Sequence, residues 1–299
     1  MDFELSIIIC SWNTVDDLRR CLGCLGECRD EARFEVIVIE NNSQDSSAEM
    51  VEAEFPWVRL SLERRNLGFT GGNNRGLMIR RAKHVLMLNS DAFVHPGAIA
   101  GLMEHLRINP DLGIIGPKLL NEDGSLQYSC RRFPNPLAAL FRNTPLGRLF
   151  PKNPWTRTYL MQDISHDEPA IVDWVSGAAM LVRGEAMDKL VELDPRFFMY
   201  CEDMDLCWRN WELGWKVGYA PQSVITHKIG TSTSKVPNRM VLRFHRSMML
   251  FFRKHLIEKV TLPLRPFAFV LAFVGIYGRA GLFLVSNQVD NVRRKFRWI

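Results

Sequence analysis

Glu202-Asp203-Met204-Asp205 puts three acids at the start of a helical pattern, directly after the bulky run Phe197-Phe198-Met199-Tyr200. Acids in a first helical turn complement the helix dipole. Crowded against one another and against apolar groups, they also form an environment that raises a carboxylate's proton affinity and suits it to base work. Asn89-Ser90-Asp91 closes an apolar run with an acid that fits a hard cation, Mg²⁺ or Mn²⁺, able to bridge diphosphate oxygens. The same acid also fits a turn or helix cap, since Pro96-Gly97 and a helical pattern follow. In Leu67-Gly68-Phe69-Thr70-Gly71-Gly72-Asn73-Asn74 a glycine cluster precedes a helix, which gives either close backbone approach to an anion or a plain tight turn. It matches neither a P-loop nor G-x-G-x-x-G. His227 stands before the hydroxyl-rich run 229–234, as a metal ligand or a structural histidine. Cys21, Cys24 and Cys28 have ligand-like spacing, yet they share an apolar helical stripe with Leu18, Leu22 and Leu25 and lack an evident fourth ligand. Buried core thiols are the better expectation.

Alternating strands and helices must hold these groups. Leu5 to Cys10, Phe34 to Ile39, Val58 to Leu62 and His84 to Leu88 read as strands, the first two as near-continuous β-branched runs buried on both faces. Asp16 to Cys28, Ser46 to Phe55 and Gly72 to Ala82 read as the intervening helices. That alternation predicts an α/β, doubly wound parallel sheet. Ligands in such sheets lie outside the carboxyl ends of the strands. Those ends carry Ser11-Trp12-Asn13, Glu40-Asn41-Asn42, Glu63 to Asn66 and Asn89-Ser90-Asp91, so four polar clusters converge on one edge. Beyond it, Pro117 to Pro169 reads as irregular, Val172 to Val182 and Trp215 to Tyr219 as strand-like, and Glu202 to Gly214 as helical.

The 299 residues carry a net charge of only +5, and composition is that of an ordinary globular chain, neither disordered nor fibrous. The charge is unevenly spread. From Arg239 onward twelve basic residues face two acids, a net +10, which leaves the first 238 residues at −5. Phe267 to Gly278 is apolar all round, but twelve uncharged residues fall short of the ~20 that span a bilayer. Continuing through Arg279 to Val285 would place an arginine mid-helix at about 2.5–3.5 kcal/mol. An interfacial or re-entrant helix avoids most of that cost. Val292 to Trp298 adds cations worth about 1 kcal/mol each at an anionic leaflet, and Phe244 to Leu256 is a second amphipathic stretch. The competing expectation packs these helices on the body or on another subunit, giving a homo-oligomer. No RNA-binding motif accompanies the basic-aromatic pattern, so no nucleic-acid partner is expected. Met1-Asp2-Phe3-Glu4 lacks the positive start of a secretory signal, and the seven cysteines are expected in a reducing compartment.

Taken in order, Ile7 to Asn13, Val38 to Ser46, Asn66 to Asn74, Leu88 to Asp91, Val175 to Ala178, Phe197 to Arg209, and His227 with Gly230 and Ser232 resemble the inverting family 2 glycosyltransferases, in particular their rhamnosyltransferase-like branch. The match covers roughly residues 4 to 255. It implies a GT-A fold, a Rossmann-like, mostly parallel sheet. Residues 1–115 would be the nucleotide-sugar half and 116–238 the acceptor and catalytic half. Residues 239–299 lie largely outside the match and form the basic helical segment expected at a membrane. The resemblance puts Ser11, Asn13, Glu40, Asn42, Asn66, Gly68, Gly71 and Asn73 around the nucleoside and sugar. Glu40 replaces the family's usual base-reading aspartate, and Asn89 replaces the first acid of its Asp-x-Asp. Asp91 and His227 fall at the metal and diphosphate positions, with Mg²⁺ or Mn²⁺ implied. Trp174, Ser176 and Gly177 fall where acceptor and sugar are positioned. Asp203 matches the general base, with Glu202 and Asp205 as supporting neighbours.

The function this implies is transfer of a sugar from a dTDP- or UDP-sugar, best guess dTDP-rhamnose, to a lipid-linked or polysaccharide acceptor by single displacement. Such an enzyme would sit at the cytoplasmic face of the cell membrane, peripheral or monotopic, in cell-wall or polysaccharide biosynthesis. A non-catalytic nucleotide-sugar- or membrane-binding protein on the same fold is the alternative, disfavoured by the intact Asp91, Asp203 and His227. A dehydrogenase is disfavoured by the missing G-x-G-x-x-G after the first strand.

Overall fold

A computed structural model describes residues 3–135, 138, 141, 145–228 and 237–296. Gly230 and Ser232 of the resemblance lie outside them, as do residues 297–299 of the basic end. In chain order the elements are β1 (Leu5–Ser11), α1 (Val15–Glu27), β2 (Phe34–Glu40), α2 (Ser47–Glu54), β3 (Arg59–Leu62), α3 (Gly68–Ile79), β4 (His84–Asn89), β5 (Ala92–Val94), α4 (Ala98–Ile108), β6 (Leu112–Leu120), β7 (Leu126–Gln127), β8 (Cys130–Arg131), α5 (Pro145–Leu149), α6 (Pro154–Tyr159), β9 (Ala170–Val172), β10 (Trp174–Val175), β11 (Ala179–Val182), α7 (Gly184–Leu190), α8 (Glu202–Glu212), β12 (Lys216–His227), α9 (Pro237–Phe251) and α10 (Arg265–Phe296). A single π-helical turn, Phe252–Leu256, continues α9, and short 3₁₀ turns lead into α10.

Ten strands form one sheet in the order β3-β2-β1-β4-β11-β6-β12-β5, with β7 on β6 and β9 on β12. The first four are mutually parallel. β11 runs antiparallel to both its neighbours, so β6 resumes the direction of β4. Alternation along β1 explains why it must be central. Leu5, Ile7 and Ile9 enter one core layer with Leu18, Cys21, Leu22 and Leu25 of α1. Ile8 enters the opposite layer with Ile37, Leu77 and Met87. Both faces are apolar because both are covered. Cys21 and Cys28 are buried in the first layer, as core thiols.

Three expectations change. The helix expected over Gly72 to Ala82 begins four residues earlier, so Gly71 and Gly72 lie inside α3. A Cβ on Gly72 would collide with Cys10 Sγ, and one on Gly76 with the Ile8 side chain. Their smallness lets α3 settle directly on β1. The stretch Val172 to Val182 is split among β9, β10 and β11, each with a different partner. The strand expected over Trp215 to Tyr219 continues to His227, across a register irregularity between Ala220 and Val224. That extension delivers His227 to the edge where the other polar clusters end.

The C-terminal helices are a pair. α9 and its π turn lie on the body, with Phe251 and His255 buried, and α10 packs back on α9, His245 facing Phe283. Most of the apolar side chains of α10 stay outside, among them Phe267, Val270, Leu271, Val274 and Leu282. The stretch Leu262–Val285 of 24 residues is long and apolar enough to cross a membrane by length and composition.

Candidate active site

Each strand end is fixed by its own side chains. At β1, Ser11 Oγ and Thr14 Oγ1 are 3.0 Å apart, and the Thr14 hydroxyl continues to Ser90 Oγ at 3.0 Å beyond β4. Asn13 and Asn42 take the left-handed conformation that asparagine tolerates, with φ of 55° and 61°. The Gln44 amide donates to Asn13 Oδ1 at 2.7 Å and the Asn13 amide to Ser43 Oγ at 2.9 Å. The buried Glu40 accepts the Ser43 amide at 2.7 Å through one carboxylate oxygen. Asn42 is exposed, and its buried neighbour Asn41 holds the next loop instead. Asn41 Nδ2 donates to Gly68 O at 3.1 Å and to Asn66 Oδ1 at 3.2 Å, while the Leu67 amide donates to Asn41 Oδ1 at 2.8 Å. In the sequence Asn41 is marked only by its place in the Glu40-Asn41-Asn42 turn. Gly68, at φ 77°, abuts the Phe198 carbonyl and has no room for a Cβ. Asn73 is buried, with its amide nitrogen on Phe69 O and its Oδ1 without a partner. An open cleft of about 570 Å³ follows β3, lined by Leu62, Glu63, Arg64, Arg65, Leu67 and Arg75.

The end of β4 meets the end of β12. His227 Nε2 lies 3.4 Å from Asp91 Oδ1 and 3.3 Å from Asn89 Nδ2. Gln127, absent from the sequence reading, fixes the ring. Its amide nitrogen donates to Asn121 Oδ1 at 2.9 Å and to the His227 carbonyl at 3.1 Å. The atom 2.7 Å from His227 Nδ1 is therefore the Gln127 carbonyl oxygen, and Nδ1 must carry a proton. In the neutral ring the Nε2 lone pair then accepts from Asn89 Nδ2, with Asp91 Oδ1 close beside it. Asn89 Oδ1 is buried without a partner. The Asp91 carboxylate and the imidazole are donor types that suit a divalent cation, and the unpartnered Asn89 Oδ1 belongs to the side chain beside them. They are fewer than three His, Cys, Asp or Glu ligands, and no such group of three occurs among the described residues.

Asp203 adjoins this edge through β11. The Asn89 amide donates to Ala178 O at 2.9 Å, and the next amide back, that of Gly177, donates to Asp203 Oδ2 at 3.0 Å. The Met204 amide donates to Asp203 Oδ1 at 2.8 Å. Scarcity of water raises the Asp203 proton affinity above the ordinary aspartate range, against the pull of those two amides and of Arg131. Glu202, buried and with one oxygen unpartnered, is pushed well up by burial and then by Asp203. Trp174 of β10 and Ser176 just after it are held by the chain on either side of β8: the Ser176 amide donates to Ser129 O at 2.8 Å, and the indole of Trp174 donates to Arg132 O at 2.9 Å. Asp205 is different. It is wholly buried and ion-paired with His255, Lys254 and Arg209, away from the Gly177 amide.

A doubly wound sheet with acids, an imidazole and a glycine-containing loop at its strand ends has the layout of an α/β enzyme whose site lies at one sheet edge. The family model described as glycosyltransferase-like family 2 matches residues 3–245, and the chain belongs to glycosyltransferase family 2. It is 30% identical over 258 residues to the N-acetylglucosaminyl-diphospho-decaprenol L-rhamnosyltransferase of Mycobacterium tuberculosis, covering 83% of each chain. Over a shorter stretch of 94 residues, 31% of this chain and 32% of the relative, it is 35% identical to the rhamnosyltransferase WbbL of Escherichia coli. A mannosyltransferase from Pyrobaculum calidifontis, solved with GDP-Man and Mn²⁺, shares the fold at a TM-score of 0.58 and 14% identity, over 99% of this chain and 83% of that one. GalNAc-T7, solved with UDP, GalNAc and Mn²⁺, does so at 0.57 and 16% identity, over 77% and 44%. The sheet is thus of GT-A type, and the protein is a hexosyltransferase.

Proposed function

We propose that this glycosyltransferase moves rhamnose from dTDP-rhamnose, or a closely related dTDP- or UDP-sugar, to a sugar carried on a lipid diphosphate. The observation that carries the reading is the Gly177–Ala178 junction. One amide holds the Asp203 carboxylate, and the next carbonyl is bonded to the strand end that bears Asp91. A base and an anion-handling edge therefore adjoin, as inverting transfer requires. Residues 1–115 bind the nucleotide sugar, with Glu40, Asn66 and Gly68 at the nucleoside, and 116–238 bring the acceptor against Trp174 and Ser176. Asp203 takes the proton of the acceptor hydroxyl as that oxygen attacks the anomeric carbon, on the face opposite the departing diphosphate. Asp91, His227 and Asn89 would hold Mg²⁺ or Mn²⁺, which offsets the diphosphate's charge when bound. The rhamnosyltransferase relative, acting by its name on a decaprenyl diphosphate, supports the donor and acceptor classes.

The basic end and the exposed apolar side chains of α10 support attachment to an anionic, lipid-bearing membrane face, the cytoplasmic one, where nucleotide sugars are available. A panel of nucleotide sugars, each with Mn²⁺ and a polyprenyl-diphosphate-linked sugar, tests the reading by release of nucleoside diphosphate. dTDP-rhamnose is expected to turn over fastest. Faster release from a GDP- or ADP-sugar would replace the donor assignment, and full activity in excess chelator would remove the cation.

A further inference from the structure

Asp205 is fully buried, and the groups that satisfy it come largely from the end of the chain. His255 Nε2 donates to Asp205 Oδ1 at 2.6 Å and Lys254 Nζ lies 2.7 Å from the same oxygen, while Arg209 of α8 takes Oδ2 at 2.9 Å. Lys254 and His255 sit in the π turn after α9, beyond the residues the family model matches. Lys254 Nζ also reaches Asp194 Oδ2 at 2.7 Å. One ammonium thus clamps both ends of the loop that runs from Asp194 to Asp205.

That loop is under strain where it meets the base. Tyr200 and Cys201 are consecutive non-glycine residues at φ of 71° and 64°, immediately before Glu202 and Asp203. Such residues persist only where their surroundings hold them. The tail supplies a large part of those surroundings, beside the contact of Phe198 with the Gly68 loop. Ser247 Oγ donates to Met199 O at 2.9 Å, Phe244 packs edge-on against Tyr200, and Arg243 lies 3.9 Å over the Phe198 ring. Trp208 of the base helix meets Phe251 and His255, with Lys259 4.1 Å over its ring.

We infer that Lys254 and His255 are positioning residues for Asp203: by fixing Asp205 and the strained loop they set the carboxylate against the Gly177 amide. The segment 243–259 is then part of the active site, and whatever α10 binds is one short connection from the base. The inference rests on the reading of Asp203 as the base. Its test compares His255→Leu, His255→Gln and Lys254→Met with the parent. Turnover is normalised to sites that bind dTDP in Mn²⁺, and amide hydrogen exchange is followed at Gly177 and Met204.

Glutamine keeps a donor where His255 Nε2 stands, so His255→Gln should retain at least a third of parental turnover. His255→Leu and Lys254→Met should lose about 30-fold or more with donor KM within threefold, since a small displacement of a reacting group costs about 10²-fold. Exchange at Gly177 should quicken about tenfold in those two. Ser247→Ala, a mild change in the same brace, should show the exchange effect in smaller degree if the leucine and methionine variants fail to fold. Turnover per dTDP-binding site within twofold of the parent, or unchanged exchange at Gly177, would overturn the inference. A parent inactive with every donor would instead overturn the functional reading, and the exchange comparison would still decide the positioning.

Discussion

Asp203 and Asp205 are two residues apart in the first turn of one helix, yet their surroundings drive them in opposite directions. Around Asp205 burial raises proton affinity, but His255, Lys254 and Arg209 outweigh it and leave the carboxylate below its ordinary range. Around Asp203 only backbone amides and a distant Arg131 oppose burial, and the net shift is upward. A base acts only when deprotonated. Activity should therefore rise with pH through the raised Asp203 value and fade below it, so the acidic limb of kcat/KM belongs above the ordinary aspartate range near 4. Asp203→Asn should keep dTDP binding and lose about 10²–10⁴ in turnover; near-normal turnover would strip Asp203 of the role. At the other edge, Gln127→Leu frees the Nδ1 proton of His227 from its acceptor. Mn²⁺ affinity, read by calorimetry on the chain without donor, should fall about 10–100-fold, the usual cost of removing the partner that orients a ligand. Crowding of three acids was visible in the sequence and marked Asp203 as the candidate base. Which acid stays free was not, because two of the three groups that occupy Asp205, Lys254 and His255, lie about fifty residues along the chain, and Gln127 stands in a segment without regular spacing.

Among elements, α3 and the turn between β10 and β11 do the positioning, through glycine in both cases. Gly72 and Gly76 bring α3 onto β1 closely enough that a methyl group meets Cys10 or Ile8. Cys10 is itself wedged beneath the helix, its thiol pushed up to about 12 chiefly by burial, and so serves packing rather than chemistry. Gly72→Ala should cost about 1–3 kcal/mol, as overpacking does, and lower the melting temperature while donor KM changes little. Gly177→Ala should do the reverse. A Cβ there would stand 3.3 Å from Asp203 Cβ and 3.6 Å from its Oδ2. Turnover should drop at least tenfold with a small change in melting temperature, and an equal loss in both quantities would contradict a site role for Gly177. The parallel half of the sheet was legible from β-branched runs and their alternation with helices, because propensity and burial agree there. The short strand β8 was not, since its pairing with β10, far along the chain, creates it and local pattern does not. The glycine run leaves two readings open for a related reason: glycine permits close approach, and sequence alone does not say whether a ligand or a neighbouring strand approaches.

On the scale of the whole molecule, the uneven charge acquires a physical layout. The acidic first 238 residues hold the sheet and its polar edge, and the basic end is braced against that edge before α10 turns its apolar side outward. Phe267 is 72% exposed and Val274 62%, values that no monomeric surface in water favours for a contiguous helical stretch. An anionic membrane answers both features, taking up the apolar side chains and attracting the cations at about 1 kcal/mol each. Since most of the exposed stretch Leu262–Val285 lies in α10, charge placed there should separate attachment from chemistry. Phe267→Asp with Val274→Asp should abolish co-sedimentation with vesicles containing phosphatidylglycerol. Nucleoside diphosphate release with a water-soluble acceptor analogue should stay within twofold, because neither residue touches the Asp194–Asp205 brace. Parent binding should weaken as salt rises, the electrostatic part being screened over about 8 Å at 0.15 M, without vanishing, because apolar burial is indifferent to salt at this level. Were the doubly substituted chain to sediment with vesicles as the parent does, the membrane would not be what covers α10. A change from oligomer to monomer on the same substitutions would then identify a second copy of the chain as its partner.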